Sequence, residues 1–149
     1  MWKRKTPLKK TPSSARSRLV RRIDTVFSRY IRLRDSFPTQ AGRMVRCISC
    51  GRIVPLEDCD CGHYVNRSHM ATRWDEDNCH AQCRPCNRFD EGNIQGYRPR
   101  LVQKIGEARV LLLESKKRAV CRLSDFELEA LLADCRRQLK ELEAEKGKF

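Results

Sequence analysis

Two CxxC pairs are the residues of this chain whose types and spacing most clearly predict chemistry: Cys47 with Cys50, and Cys83 with Cys86. A two-residue spacer lets one tight turn direct both sulfur atoms of a pair at the same ion, so two pairs can surround a structural Zn²⁺ tetrahedrally. Disulfide bonds are the competing interpretation. The chain opens with MWKRKTPLKK, which contains no apolar secretion segment, and this favours zinc.

Further residues within or beside the segment that the two pairs would close suit hydrolysis of a phosphodiester. We predict His63 as general base, because an imidazole with a pKa near 6.5 is mostly neutral at cellular pH. We predict that the amide oxygen of Asn78 holds the ring in one tautomer. Asn87 directly follows Cys86, and its side-chain oxygen can bind a catalytic Mg²⁺ or Mn²⁺. A carboxylate should bind the same ion, and we choose Asp60 among the nearby candidates Asp60, Asp75, Glu76 and Asp77.

The positive charge is concentrated in the first part of the chain. Residues 1–34 hold 12 of the 32 basic side chains and one of the 19 acidic ones, so they carry +11 of the net charge of +13. DNA is the expected partner of such a segment, since each neutralised phosphate releases counterions. A solvated, solubilising tail is the alternative. No apolar run is long enough to span a bilayer, so we predict no membrane partner.

The predicted DNA contacts are basic side chains in the N-terminal arm, in the first helix and around His63. Lysine and arginine bind phosphate oxygens without reading base sequence, so these residues predict affinity for nucleic acid and no particular target sequence. They are Lys3, Arg4, Lys5, Lys9, Lys10, Arg21, Arg22, Arg29, Arg32, Arg67, Arg73, Arg84 and Arg88.

Four segments must position these residues. Prolines and serines indicate a disordered basic arm over residues 1–17. Apolar residues at three- and four-residue steps from Leu19 predict a basic amphipathic helix over 18–37. A zinc-stabilised core over 43–95 and a C-terminal helical region over 99–146 follow. The expected fold class is therefore α+β: a small zinc-stabilised core, an N-terminal basic helix and a C-terminal helical pair.

Within the core, the expected order is strand, loop and short helix around one cleft. Residues 62–65 suit a strand that carries His63, and residues 66–77 are polar enough for a long loop. Pro85 can occupy the first turn of a short helix that carries Asn87.

The C-terminal pair is expected to consist of one helix from Pro99 to about Lys117 and a second that a capping box of Ser124 with Glu127 opens. Each carries an apolar stripe that needs a partner. The stripes can pack within the chain or form a homodimer, and the sequence favours neither. They are Leu101, Ile105, Ala108 and Leu112, and Leu128, Leu132, Cys135, Leu139 and Leu142.

These residues and their spacing resemble the HNH, or His-Me finger, nucleases, which include phage endonuclease VII. The ββα-metal motif of those enzymes places a base histidine on the first strand and an Asn or His metal ligand on the helix. The matching segments are CISCG at 47–51, CGHY at 61–64 and DEDNCHAQCRPCN at 75–87. One departure is Gly62, because most HNH sites have an aspartate metal ligand directly before the base histidine.

A closer resemblance is to the lambdoid-phage NinG family, also called Rap, of recombination endonucleases. It implies a metal-dependent endonuclease that cleaves branched recombination intermediates, such as Holliday junctions and D-loops, in the cytoplasm of the host near its nucleoid. Two alternatives are a non-catalytic zinc-containing DNA-binding module and an HNH nicking or restriction nuclease that acts on linear duplex. The matching segments are SRYIRLRD at 28–35, GHY at 62–64, RWDEDNCHAQCRPCN at 73–87 and GNIQGYRPRLVQKIG at 92–106.

Overall fold

The computed structural model describes residues 14–148, and the expected α+β class is confirmed for them. The predicted disordered arm lies outside the described residues over positions 1–13. In chain order the elements are α1 (Ala15–Arg34), β1 (Ser36–Thr39), β2 (Gly42–Arg46), β3 (Ile53–Pro55), a 3₁₀ turn (Leu56–Asp58), β4 (Cys59–His63), β5 (Cys79–Cys83), a π-helical turn (Pro85–Phe89), α2 (Ile94–Ile105), α3 (Glu107–Lys116) and α4 (Asp125–Lys146).

The first helix is displaced toward the N-terminus relative to its predicted bounds of 18–37. It begins at Ala15 because the Ser14 hydroxyl accepts a hydrogen bond from the backbone N–H of Ser17 and so caps the first turn. It ends at Arg34, since residues 36–39 pair with β2 instead. The assignment of residues 15–17 to the arm and of 35–37 to the helix is therefore wrong.

The strands form two antiparallel sheets. One is a three-stranded meander in the order β1, β2, β3. The other is the pair β4 and β5, in a register that runs from Cys59 opposite Cys83 to His63 opposite Cys79. The predicted strand that carries His63 is therefore present, but it covers residues 59–63 instead of 62–65.

The largest core lies between α1 and α4. Its buried members from α1 are Leu19, Ile23, Phe27 and Ile31, and those from α4 are Leu128, Leu132 and Cys135. The predicted apolar stripe of α4 is confirmed, and it packs within the chain. A homodimer would need a surface other than this stripe, and dimerisation itself stays a prediction.

The predicted helix from Pro99 to Lys117 is two helices, so the C-terminal region contains three in all. The first begins at Ile94, because Asn93 caps it by accepting a hydrogen bond from the N–H of Gly96. It ends at Gly106, whose φ of +87° favours glycine. The break rotates the apolar face of α3, so Val110 and Leu113 are buried while the predicted Ala108 and Leu112 are exposed.

Polar side chains join the two long helices to the strands. Lys146 Nζ, at the end of α4, donates to the Arg34 carbonyl at 2.8 Å and also lies near the carbonyls of Leu33 and Ser36. The Asp35 carboxylate accepts the N–H of Ala81 in β5 at 2.8 Å. No helix within residues 14–148 is both long and apolar enough to cross a bilayer.

Candidate active site and metal centre

The two CxxC pairs meet as predicted. The ligand atoms of Cys47, Cys50, Cys83 and Cys86, here called the four-thiol cluster, all lie within 4.8 Å of one another. Two of the sulfur atoms, on Cys50 and Cys83, are 3.8 Å apart. Tetrahedral zinc with Zn–S bonds of about 2.3 Å places its sulfur atoms about 3.8 Å apart, so the cluster can hold zinc. All nine cysteines are free thiols.

Local structure brings the four-thiol cluster together. The backbone N–H of Gly51 donates to the Cys47 carbonyl at 2.9 Å, in a turn that needs the glycine φ of +74°. Burial raises the pKa of Cys50, but hydrogen bonds from the Arg52 backbone and from neighbouring cysteines lower it to about 7. Asn93 donates to the Cys86 sulfur at 3.3 Å, so the residue that caps α2 also supports a ligand.

His63 ends β4 and is held in one tautomer. Its Nε2 lies 2.9 Å from the backbone carbonyl of Arg73. A carbonyl can only accept, so Nε2 carries the hydrogen and Nδ1 keeps its lone pair. Burial lowers the pKa of His63 and outweighs the hydrogen bond to Arg73, which raises it. The imidazole is therefore neutral at pH 7 and can accept a proton at Nδ1.

The predicted contact between Asn78 and His63 is wrong. Asn78 is fully buried, and its Oδ1 accepts the N–H of Val65 at 2.7 Å. Its Nδ2 donates to the carbonyls of Val65 and Thr72 at 2.9 and 3.0 Å. All these bonds close the loop between β4 and β5, so Asn78 shapes the loop that presents the Arg73 carbonyl to His63.

The side chain of Arg73 anchors that loop to α1. Its Nε and Nη2 donate to the two carboxylate oxygens of Asp24 at 2.9 and 2.6 Å, and Nη1 donates to the Arg67 carbonyl. The guanidinium is engaged inside the fold, so the prediction that Arg73 contacts DNA is not supported by its position. The Arg73 carbonyl and Asp24 could not be identified from the sequence, because backbone carbonyls leave no motif and 49 positions separate Arg73 from Asp24.

Asn87 and Asp60 lie together, as the predicted metal site requires. Nδ2 of Asn87 donates to Asp60 Oδ2 at 2.9 Å, which leaves the amide oxygen as the donor atom for a cation. Arg88 binds the same carboxylate through two hydrogen bonds of 2.7 and 2.8 Å. Burial raises the pKa of Asp60, but hydrogen bonds from Arg88 and Asn87 outweigh this effect and lower the pKa overall. The carboxylate is therefore ionised at neutral pH.

Gly62 has no room for a side chain. A β-carbon there would lie 2.1 Å from Oε1 of Gln82, whose side chain is fully buried. Gln82 is held in place because its Nε2 donates to the Ser49 hydroxyl and to the Gly92 carbonyl. The aspartate common before the base histidine of HNH enzymes therefore cannot be accommodated here, and the nearby carboxylate is Asp60.

Tyr97 of α2 supports the same strand end from behind. It is fully buried, and its hydroxyl lies 3.2 Å from the Gly62 carbonyl and 3.3 Å from the Asn78 carbonyl, to which it donates. Buried His80 lies against it, with Nδ1 at 3.2 Å from the hydroxyl. Tyr97 was not identified from the sequence, since a single tyrosine on a helix carries no signal for this role.

Two adjoining clefts bring the predicted residues to the surface. The larger encloses about 800 Å³ and the smaller about 220 Å³. Four residues line both clefts: Cys61, His63, Arg67 and Asn87. Asp60 lines the smaller cleft, so the base candidate and the two oxygen ligands border a shared space.

The predicted DNA contacts differ in their surroundings. Arg21, Arg22 and Arg67 are exposed. Arg84 binds Asp58 and the Glu57 carbonyl, Arg29 binds Glu143, and Arg32 contacts the Ser28 carbonyl. The residues outside the described part of the chain are Lys3, Arg4, Lys5, Lys9 and Lys10.

Comparison with known proteins gives one consistent result. A family model described as "Bacteriophage Lambda NinG protein" matches residues 2–145. Relatives named "Protein ninG" from Salmonella phage P22 and Escherichia phage lambda are 32% and 31% identical over 139 residues, which is 93% of this chain and 64% of each relative. That of Escherichia phage 933W is 32% identical over 141 residues, 94% of this chain and 66% of the relative. The chain thus spans slightly less than two thirds of these relatives. No solved structure matches it significantly.

Proposed function

Because the chain belongs to the NinG family of bacteriophage proteins, we propose that it is a metal-dependent DNA endonuclease that cleaves branched recombination intermediates. The observation that carries the proposal is the position of His63. It borders both clefts with a ring nitrogen free to accept a proton, and Asn87 borders the same space.

In the proposed reaction, Nδ1 of His63 takes a proton from a water molecule as the water oxygen forms a bond to phosphorus. The bond between phosphorus and the leaving oxygen then breaks. The Arg73 carbonyl keeps the ring oriented and stabilises the imidazolium that forms, because it accepts the hydrogen bond from Nε2. The strand–loop–strand–turn order of β4, β5 and the Pro85–Phe89 turn supports the proposal of a ββα nuclease core.

The residues fit a hard divalent cation. Asp60 supplies an ionised carboxylate and Asn87 an amide oxygen, and water and substrate phosphate can complete the octahedron that Mg²⁺ or Mn²⁺ adopts. Bound there, the ion would stabilise the charge that develops on the phosphate and the leaving oxygen. The side chain of Arg88 is half exposed, so it can leave Asp60 for a phosphate when the carboxylate binds a cation.

The four-thiol cluster has a different proposed role, which is to hold structural Zn²⁺. It joins the segment after β2 to the end of β5 and to the turn that carries Asn87. Four sulfur ligands close the coordination sphere, so such an ion has no position for substrate. Asn87 follows Cys86 directly, and the zinc would therefore fix the backbone of the catalytic ligand.

Arginines on α1 offer a surface for the DNA backbone. A groove of about 440 Å³ on this helix is lined by Arg18, Arg21 and Arg22, and by Arg136 of α4. Several positive charges on one helical face bind phosphates with salt-sensitive affinity. Preference for branched DNA is part of the proposal and follows from the family resemblance alone.

The experiment compares the wild-type protein with His63→Ala on a labelled four-way junction, a D-loop and a linear duplex of matched sequence. Cleavage and gel-shift binding are measured in Mg²⁺, Mn²⁺ or EDTA. We expect metal-dependent cutting of the branched DNAs, reduced by at least about 100-fold in His63→Ala with binding retained. His69→Ala is the matched control, since His69 is also half-buried and lies in the loop after β4.

Each other outcome selects an alternative. Tight binding by both proteins with no cutting would replace the nuclease with a non-catalytic recombination module. Equal cutting of linear and branched DNA would favour a duplex nicking enzyme. Cutting that survives His63→Ala in a folded protein would remove His63 from the mechanism, and Asn87→Ala would then test the metal site separately.

A further inference from the structure

A second group of metal-ligating side chains lies at the opposite end of the β4–β5 pair from the four-thiol cluster. The ligand atoms of Cys61, His63 and Cys79 all lie within 4.8 Å of one another, and we call them the open-end cluster. His63 and Cys79 are paired across the two strands, and Cys61 is two residues before His63 on the same strand. The register therefore places two thiols beside the candidate base.

The open-end cluster is separate from the four-thiol cluster. Cys79 and Cys83 are the first and last residues of β5, so four steps along an extended strand separate the clusters, roughly 13 Å. The two clusters share no residue. A single ion cannot bind both.

The donor atoms select a class of cation. Two sulfur atoms and one imidazole nitrogen suit Zn²⁺ and related thiophilic ions, whereas Mg²⁺ and Mn²⁺ prefer oxygen. Two thiolates and a neutral imidazole also balance the charge of a divalent ion, which matters because Cys79 is fully buried.

The open-end cluster borders the two clefts of the candidate site. Cys61 and His63 line both clefts, so an ion has a path from solvent. Three protein ligands leave a fourth position to water, which is the coordination of an exchangeable site and not of a closed structural one.

We propose that the open-end cluster binds Zn²⁺ and that this ion reversibly inhibits the cleavage reaction. The inhibition rests on the proposed function, because it acts through His63. An imidazole that donates its lone pair to zinc cannot accept a proton from water. Zinc therefore competes with the general-base step while the oxygen ligands Asp60 and Asn87 stay in place.

Zinc binding is tested first, without DNA. Purified protein is titrated with Zn²⁺ against a chromogenic chelator, under a phosphine reductant that keeps Cys61 and Cys79 from forming a disulfide. Wild type is compared with Cys61→Ala/Cys79→Ala and with Cys121→Ala/Cys135→Ala. The control pair matches the test pair, since each has one half-buried and one buried thiol, and it belongs to neither cluster.

Two zinc ions per chain are expected in wild type and control, and one in Cys61→Ala/Cys79→Ala, because the described residues contain two such clusters. One ion in all three proteins would overturn the site. Substituting Co²⁺ gives a second readout, since loss of the open-end cluster should remove part of the thiolate charge-transfer absorption.

Inhibition is tested next, with each protein's rate in Mg²⁺ without added zinc as its own reference. The zinc concentration that halves the rate should rise at least about 100-fold in Cys61→Ala/Cys79→Ala, because one ligand of three remains, and stay unchanged in the control. Equal inhibition of all three proteins would overturn the regulatory role. If no protein cuts DNA, the proposed function fails. The number of zinc ions bound, two in wild type against one in Cys61→Ala/Cys79→Ala, still decides whether the site exists.

Discussion

The two ends of the β4–β5 pair carry similar atoms and differ in what surrounds them. At the Cys59–Cys83 end, four thiols are gathered in a largely buried cluster that can satisfy a metal ion completely. At the His63–Cys79 end, Cys61 and His63 border open clefts and Cys79 is buried beside them, so the three ligands leave one tetrahedral position unfilled. A complete, buried set of ligands allows a bound metal ion to stabilise the fold. An incomplete set of ligands that faces solvent leaves a coordination position at which a reaction can occur.

The difference extends to how each end is held. The closed end would depend on the proposed zinc ion, whereas the open end depends on many separate hydrogen bonds: those of Asn78, Tyr97 and the Arg73 side chain. A single substitution in the four-thiol cluster should therefore unfold the protein. A single substitution at the open end should only lower the free energy of unfolding. The following measurements of unfolding free energy examine that contrast from its largest effect to its smallest.

Cys50→Ser and Cys61→Ser form a matched pair, because both thiols are half-buried and each belongs to one cluster. Loss of a structural zinc forfeits on the order of 10 kcal/mol, as much as the whole stability of a small domain. Cys50→Ser should abolish the cooperative unfolding transition followed by circular dichroism, and Cys61→Ser should cost about 1 kcal/mol. Unfolding of both variants alike would end the contrast between the two ends.

Asn78→Ala removes three hydrogen bonds at a fully buried position and leaves their Val65 and Thr72 partners unsatisfied. We expect a loss of about 3 to 4 kcal/mol in urea denaturation. Exposed Asn66 serves as control, since its side chain accepts one hydrogen bond, from Ser68, and Asn66→Ala should cost about 0.5 kcal/mol. An equal loss of unfolding free energy in Asn78→Ala and Asn66→Ala would show that Asn78 does not hold the loop between β4 and β5 in place.

Gly62→Ala places a methyl group against Oε1 of Gln82 and should cost about 2 to 3 kcal/mol by overpacking. The same contact makes a second prediction. Combined with Gln82→Ala, the substitution should cost less than the sum of the two single changes, because the clash is gone. Strict additivity in thermal denaturation would mean that Gln82 is not what excludes a side chain before His63.

Mild acid should weaken the fold through His80, whose pKa is lowered by burial to about 3. The unfolded chain takes up this proton below pH 6.5, and the folded chain does not until about pH 3, so stability falls as pH falls across that window. Between pH 7 and pH 5 the contribution is about 2 kcal/mol. The decrease in unfolding free energy between pH 7 and pH 5 should be smaller by this amount in His80→Gln. An unchanged pH dependence of stability in this variant would contradict the assignment of the effect to His80.

Much of the candidate site follows from sequence spacing. The strand that carries His63 and the helical turn that carries Asn87 are local features, and residue types and Pro85 predict them. The four cysteines come from segments 33 positions apart, and their meeting was predictable because both CxxC pairs suit one metal ion. The apolar stripe of α4 was equally readable, because its period continues without interruption from Leu128 to Leu139.

What the sequence did not provide depends on pairs of residues far apart in the chain. The Arg73 carbonyl orients His63 only because Asp24 of α1 holds the Arg73 side chain, and Asn78 turns away from His63 because the loop needs its amide. The β1–β2 hairpin was missed because the first helix was predicted to extend to residue 37, within the segment that forms β1. The break at Gly106 was missed because the apolar residues on either side keep a helical period.

The lysine at the end of α4 has a consequence for the order of events during synthesis. Lys146 bonds carbonyls at the end of α1 and the start of β1 that lie 110 to 113 positions earlier in the chain. At roughly 5 to 20 residues per second, a ribosome takes roughly 5 to 20 seconds to cover that distance. During this time the part of the α1 apolar face that packs on α4 stays uncovered, and the α1 carbonyls that Lys146 binds lack this partner. A helix that is made after β5 thus completes the core of the first helix.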